Sequence, residues 1–582
     1  MLKLLRYLKR YSVQCFFLIL NLGIQIWCSL QLPTIMANIV NDGITKGDSD
    51  YIIKAGLGML GYTMIAILAS LVVHFLSARV GAGFSRDLRE DFYRKVISLS
   101  ITDIDKYSTA SLITRTTNDI SQVQSAVMLM LTLMLRAPLM GIGAIIQAFR
   151  VAPDMTWIIA LAVGLIITFS IVILGLSIPK FKIFQTLLDK ITLISRENLT
   201  GLRVIRAFNK ESKEKEKFER VNNELTKTIV YINRIFSFQD PLIGLIFNGT
   251  TLLVIWVGVS KLETNITYLG NMMAFVEYAA NVIISFLMIT MLFVVLPRAN
   301  VSATRIEEIL KEKSKIKWKE ETEGIPEPSP SVEFKNVDFR YAGAEQDVLK
   351  NISFIAKAGE TTAFIGSTGS GKSTLISLIP RFYEPSSGEI LIDNLKLENY
   401  SKKDLMQKIG YVPQKGILFS GNIESNIAFG NQFADKKVIK NAAQISQSSE
   451  FIEKLDKKYE SHIAQGGSNV SGGQKQRLSI ARAIAKHPEI YIFDDSFSAL
   501  DMKTDKKLRE ALKTETRNSV VLIVAQRIST AKNADQIIVL DNGRIVGKGK
   551  HKELLKNCEI YKEIVKSQLS DKEFEKELKD AR

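Results

Sequence analysis

Cysteine is almost absent. Cys15, Cys28 and Cys558 are the only three in 582 residues, too few for a disulfide framework, and they suit a reducing compartment around the polar part of the chain. A cleavable secretory signal is not expected: the first apolar run starts near Ser12 behind Lys3, Arg6, Lys9 and Arg10 and runs past signal length without a small-x-small site, so it should persist as a membrane anchor. No nucleic-acid module is recognisable, and the net charge of +16 is accounted for by Lys and Arg gathered in loops beside a bilayer. A nucleic-acid partner is therefore not expected.

What is present divides into an apolar first half and a polar second half, so a chain of this length needs at least two domains. Hydropathy gives six spans near residues 13–36, 52–78, 126–149, 155–178, 241–260 and 272–297, each long enough for a hydrocarbon core of about 30 Å. Residues 81–125 carry six Lys or Arg and residues 179–238 carry thirteen, whereas the opposite loops are short and nearly uncharged. The positive-inside rule then puts both long loops, the N-terminus and the polar half on the cytoplasmic side. Helical periodicity in both loops predicts hairpins whose turns, near Thr102–Ser111 and Arg203–Glu211, reach the nucleotide domains. Met1–Arg10 reads as an interfacial helix on the bilayer surface. His74, Arg136 and Glu277 fall inside spans, where ionisable groups usually face a path or a neighbouring helix. Met128, Met130, Met134, Phe286, Met288 and Met291 could form a permissive apolar surface or simply pack between helices.

The expected boundaries are a membrane domain over 1–310, a charged and proline-bearing linker over 311–330 with Pro326, Pro328 and Pro330, a nucleotide domain over 331–567 and a charged, solvated tail over 568–582. Strand and helix patterns alternate after Ser331, which indicates an α/β fold. Gly366, Ser367, Thr368, Gly369, Ser370, Gly371, Lys372, Ser373 and Thr374 form a P-loop between a strand pattern and a helical one. Successive N–H groups of such a loop cradle a β-phosphate, Lys372 reaches the β and γ oxygens, and the Ser373 hydroxyl ligates Mg²⁺. Asp494 ends a second apolar strand and is the expected carboxylate for Mg²⁺, with the Gln414 amide as a further oxygen donor. Tyr341 offers an aromatic face for adenine. Ser471, Gly472, Gly473 and Gln474 open a second helix as another anion site, and since one P-loop already serves the phosphates, this cap should serve ATP held by another domain.

With Ser498–Asp501, these motifs resemble those of ABC transporters. The six spans, together with SLITRTTND and ENLTGLRVIRAF in the loops, resemble the exporter branch over nearly the whole chain. The resemblance implies a multi-domain fold: a six-helix, all-α transmembrane domain with long cytoplasmic hairpins, fused to an α/β P-loop nucleotide-binding domain. It also implies head-to-tail pairing of two nucleotide domains, with Asp501 beside the shared nucleotide. Against that family's pattern, Asp495 stands where a catalytic glutamate is usual, Gln526 where a histidine is usual, and Gln465 where exporters carry a glutamate; Val470 replaces a leucine before an otherwise intact signature. This combination resembles the degenerate-site subunit of heterodimeric bacterial multidrug exporters. It implies a location in a bacterial plasma membrane, a second ABC half-transporter as partner, a lipophilic small-molecule substrate, hydrolysis mainly at the partner's site, and ATP with Mg²⁺ as cofactors. A slowly hydrolysing homodimer and an ATP-gated membrane regulator that does not pump remain alternative readings.

Overall fold

The computed structural model describes residues 1, 3–262, 268–324 and 329–581. Two bodies form: Met1–Ile97 with Ser108–Glu312, and Ser98–Tyr107 with Lys313–Arg582. Pro326 and Pro328 of the expected linker lie outside the described residues.

The described residues of the first body form helices joined by short turns, and six apolar helical stretches, Leu4–Ile44, Ser49–Ser98, Thr109–Val151, Pro153–Thr200, Glu211–Val259 and Leu269–Lys311, coincide with the expected spans. Helix is what these sequences must adopt in lipid, because only internal pairing satisfies every backbone N–H and C=O there. Their outer faces expose Leu57, Leu60, Met64, Phe75 and Trp256, an apolar surface that suits hydrocarbon. The helix Ser49–Ser98 has 50 residues, about 75 Å at 1.5 Å per residue, so more than half of it must extend beyond a ~30 Å core. Phe286 packs on a cluster of Ala162, Ile166, Ile246 and Ile283, which makes it a helix-packing residue. His74 and Glu277 are exposed on the single chain and Arg136 is half-buried. The side chain of Met291 lies outside the described residues.

Buried polar contacts fix the ends of this bundle. Arg115, 8% exposed, donates to the Arg305 carbonyl and to Glu308 Oε2. Asp119 accepts from Ser302 Oγ at 2.9 Å and pairs with Arg305 at 3.2 Å. Arg115–Asp119 itself is a π-helical turn, the kind of local widening that lets side chains leave a helix at an unusual angle.

The N-terminal segment is helical, as expected, and packs partly on protein. Leu4–Tyr11 is a 3₁₀ helix with Leu4 and Tyr7 buried; Tyr7 donates to Asp91, and Tyr11 and Arg10 bind Asp87. Leu4 and Tyr7 are thus covered by protein, while Leu5 and Leu8 are half-buried. The second hairpin turn, Leu202–Ala207, belongs to the first body, and Leu202, Val204 and Phe208 beside it are exposed.

The second body contains two main sheets and a small antiparallel pair of β7 (Gly421–Asn422) and β8 (His462–Ile463). One is antiparallel, ordered β2-β1-β4-β5, from β1 (Ser331–Phe339), β2 (Leu349–Lys357), β4 (Ser387–Ile392) and β5 (Leu395–Lys396). The other is ordered β12-β11-β3-β10-β9-β6, from β3 (Thr361–Gly366), β6 (Ile409–Val412), β9 (Ile490–Asp494), β10 (Val520–Val524), β11 (Gln536–Asp541) and β12 (Arg544–Gly549). Within it β11, β3, β10, β9 and β6 run parallel. Burial on both faces explains why β9 and β10 read as unbroken apolar runs, every residue of each being buried. A short helix, Ile101–Ile104, belongs to this body: Asp103 is fully buried and accepts from the Lys315 N–H, while Asp105 accepts from the Tyr383 hydroxyl at 3.0 Å.

The tail departs from expectation. Asp571–Ala581 is helical, as its charge pattern implies, but Phe574 packs on the core, and Glu577 binds His551 and Lys532. Phe574 and the contacts of Glu577 are what dock it, so it is not a freely solvated helix.

Candidate nucleotide site

Parallel strand order assembles the site. Because β3, β10 and β9 are neighbours in register, with Val524 opposite both Phe364 and Asp494, their carboxyl ends carry the P-loop, Asp494 with Asp495, and Gln526 to one edge of the sheet. Ligands of open α/β sheets bind at such an edge. Backbone bonds from Asp495 N–H to the Val524 carbonyl and from Ala525 N–H to the Phe364 carbonyl tie the three strand ends together.

The P-loop turns where glycine permits. Gly371, at φ +95°, caps the helix Lys372–Leu378, and a Cβ there would lie 2.7 Å from Leu349 Cδ2; any side chain would meet both backbone strain and a neighbour. Lys372 is buried and donates to the carbonyls of Gly366 at 3.0 Å and Ser367 at 2.7 Å and to Ser370 Oγ at 3.3 Å. Burial pulls its pKa down, while Asp495 and Asp494 act in the opposite sense. An arriving phosphate would favour the charged ammonium and give it a stronger acceptor than loop carbonyls.

Ser373 Oγ donates to Asp494 Oδ1 at 2.8 Å. Burial pushes the Asp494 carboxyl above the ordinary range, with the bond from Ser373 working against it and the neighbouring Asp495 adding to it. A hydroxyl and a carboxylate in contact are hard oxygen donors of the sort Mg²⁺ takes, so this donor set fits the ion. Gln414 Nε2 donates to Asp495 Oδ2 at 3.3 Å. Asp495 is itself 7% exposed and sits at φ +46°, a left-handed conformation that aspartate tolerates better than most residues. Burial raises its carboxyl pKa too. The Gln526 side chain is exposed at the site's rim.

Tyr341 lies where an adenine platform is needed. Its hydroxyl is 3.0 Å from Thr374 Oγ1, and its ring stands edge-on to Phe339 and Tyr383, with centroids at 4.9 and 5.4 Å. The structure thus brings together Tyr341, Gly366–Thr374, Gln414, Asp494 and Asp495, with Gln526 on the adjoining strand end.

It does not bring Ser471–Gln474 into hydrogen-bonding contact with them. The thirteen-residue helix Gly472–Ile484 opens on a capping box in which Ser471 Oγ accepts from Gln474 N–H and Gln474 Oε1 accepts from Ser471 N–H. Ser471 and Gly472 are exposed, leaving an open positive helix end. Asp501 caps the helix Met502–Glu515, and the bonds from Thr504 hold its carboxyl below the ordinary range. Gln465, in the short turn before the signature, is exposed.

Two residues that sequence reading passed over belong to this neighbourhood. Arg527 donates to the carbonyls of Ser498 and Leu500, holding the segment that leads to Asp501 against the strand end that carries Gln526. Tyr383 backs Tyr341, and its place shortly after the P-loop helix was the available signal.

A P-loop at the edge of a parallel sheet, fused to six membrane-length helices, defines a membrane-spanning nucleotide-binding protein. Residues 15–287 match the ABC transporter transmembrane region and residues 349–498 match the ABC transporter family. The chain belongs to the ABC transporters. It is 38% identical to an uncharacterized ABC transporter ATP-binding protein of Mycobacterium tuberculosis, covering 93% of each chain. It is 37% identical to another from Bacillus subtilis, covering 98% of each. Among solved structures, a bacterial Atm1-family ABC exporter with ATP bound shares the fold with a TM-score of 0.79 at 22% identity, over 97% of this chain and 99% of that one.

Proposed function

We propose that this chain is one half of an ATP-driven exporter of lipophilic compounds in a bacterial plasma membrane, paired with a different ABC half-transporter that supplies the competent hydrolytic residues. The observation that carries this reading is the contrast between two halves of one apparatus. The binding cradle of Lys372, Ser373 and Asp494 is complete and connected, whereas the positions next to it hold Asp495 and Gln526. The open cap at Ser471 and Gly472, unneeded by this chain's own P-loop, is available to ATP held by a partner.

In this mechanism Lys372 and the loop N–H groups hold the phosphates, and Tyr341 stacks on adenine. Ser373 and Asp494, with Gln414 as a further oxygen donor, would hold Mg²⁺, which neutralises phosphate charge when bound. Asp495 is one methylene shorter than glutamate and holds a water poorly placed for attack. Gln526 hydrogen-bonds the γ-phosphate without carrying a proton. ATP is retained here and keeps the nucleotide domains together, while Ser471–Gln474 complete the partner's site. Val204 and Phe208, exposed at the second hairpin turn, are the surface offered to the partner's nucleotide domain. His74, Arg136 and Glu277 are candidates for the path of a substrate enclosed only in the assembled pair. Residues 1–310, 311–330 and 331–567 serve as transport unit, linker and ATP unit.

The test is a mild-detergent pull-down of the tagged full chain from its native membrane, with the partner identified by mass. A second ABC chain at one-to-one stoichiometry, carrying glutamate and histidine at the matching positions, is expected. Recovery of this chain alone would remove the asymmetric reading. The homodimer reading draws on one feature, the raised carboxyl of Asp495, which is the direction that makes a carboxylate a better base.

A further inference from the structure

Gln526 lies just beyond the end of β10, and part of the support for its backbone comes from far along the chain. Gln568, the last residue of the helix Glu559–Gln568, donates from Nε2 to the Gln526 carbonyl at 2.8 Å, and its Oε1 accepts from the Ile528 N–H, also at 2.8 Å. One side-chain amide thus pairs with the backbone on both sides of Arg527, as a neighbouring strand would. The Ile528 N–H is one of the helix-start donors that has no partner within the four-residue helix Ile528–Ala531.

A second attachment lies at the other end of that short helix. Lys532 binds Glu577 at 3.3 Å, and Glu577 also binds His551 Nε2 at 3.2 Å, whose Nδ1 is 2.7 Å from the Tyr561 hydroxyl. Tyr561 and Val565 are fully buried, so the helix presenting Gln568 is anchored in the core. The C-terminal helices therefore grip both ends of the segment 526–532, and Gln568 sets the backbone from which the Gln526 side chain projects.

We propose that Gln568 is a positioning residue for the γ-phosphate contact: it holds the 526–528 backbone in the one orientation that points Gln526 at the terminal phosphate of ATP, and so sets the preference of this site for ATP over ADP. This rests on the role given to Gln526 above. Its chemistry needs both halves of the amide, a donor for the Gln526 carbonyl and an acceptor for the Ile528 N–H.

The experiment is photolabelling of the full chain, in its native assembly, by azido-ATP, with ATP or ADP as competitor and the labelled chain resolved on a gel. Gln568→Ala is expected to raise the ATP concentration for half-competition about fivefold, in keeping with the loss of two hydrogen bonds, with that for ADP unchanged. Gln568→Glu, which keeps the acceptor and places a second oxygen against the Gln526 carbonyl, should lose ATP preference as well. A purely structural role would move ATP and ADP together and lower the melting temperature. Gln526→Ala run beside them separates the two levels. If it lowers ATP preference and Gln568→Ala does not, the positioning proposal is overturned; if Gln526→Ala itself leaves the preference intact, the γ-phosphate role is gone and this proposal goes with it.

Discussion

On the asymmetric reading proposed above, lengthening the carboxylate at position 495 should raise hydrolysis at this chain's own site. Asp495 is buried and accepts from Gln414 Nε2 at 3.3 Å, and its side chain is one methylene shorter than a glutamate's. A misplacement of about 1 Å can cost a catalytic step on the order of a hundredfold, equivalent to about 2.7 kcal/mol at 1.36 kcal/mol per tenfold. Asp495→Glu is therefore expected to raise hydrolysis at this site at least tenfold, and Asp495→Glu with Gln526→His toward a hundredfold. The backbone sets an opposing term. At φ +46° glutamate fits less well than aspartate, which should cost about 1 kcal/mol of stability and lower the melting temperature by a few degrees without lowering the rate. Phosphate release is measured from the purified assembly in which the proposed partner's glutamate at the matching position is replaced by glutamine, so that only this site can report. No gain in the double substitution would refute the reasoning. Loss of nearly all steady-state activity in Asp495→Asn, with the partner intact, would refute it equally, since that variant should keep most of its turnover.

Two further outcomes follow from burial. Asp494 titrates above the ordinary carboxylate range because it is buried, so the unfolded chain gives up that proton first and ionisation destabilises the folded, nucleotide-free state at neutral pH. Asp494→Asn should raise the nucleotide-free melting temperature at pH 7, with the gain shrinking as pH falls toward about 4, while weakening Mg²⁺-dependent ATP binding at least tenfold; thermal shift across pH and nucleotide titration report the two effects. In the membrane body, Arg305→Ala leaves buried Asp119 with Ser302 Oγ but no cationic partner, and a loss of about 2 kcal/mol is expected, read as faster thermal inactivation in detergent.

Six spans were legible because the bilayer forces helix and because unbroken apolar length has few other meanings. The P-loop and Asp494 were legible because each motif carries its own flanking strand or helix. Long-range support was not. Gln568 lies forty-two positions from Gln526 on an unremarkable charged helix, and nothing local marks its amide as a clamp. Leu4 and Tyr7 show the same limit from the other side, since an amphipathic pattern specifies an apolar face without saying whether lipid or protein will cover it. The tail misleads for a related reason: Phe574 is one apolar residue among many charges, and only the fold supplies the surface it meets.

The segment Ser98–Tyr107 lies within the N-terminal half of the gene, yet it is part of the nucleotide body, where Asp103 binds the Lys315 N–H and Asp105 binds Tyr383. Inheritance of the two halves is thereby linked. A chimaera joined to a relative by a single crossover near residue 312 would bring that relative's segment to Tyr383 and Lys315, so the two native contacts are kept only if the ten residues 98–107 travel with the C-terminal half.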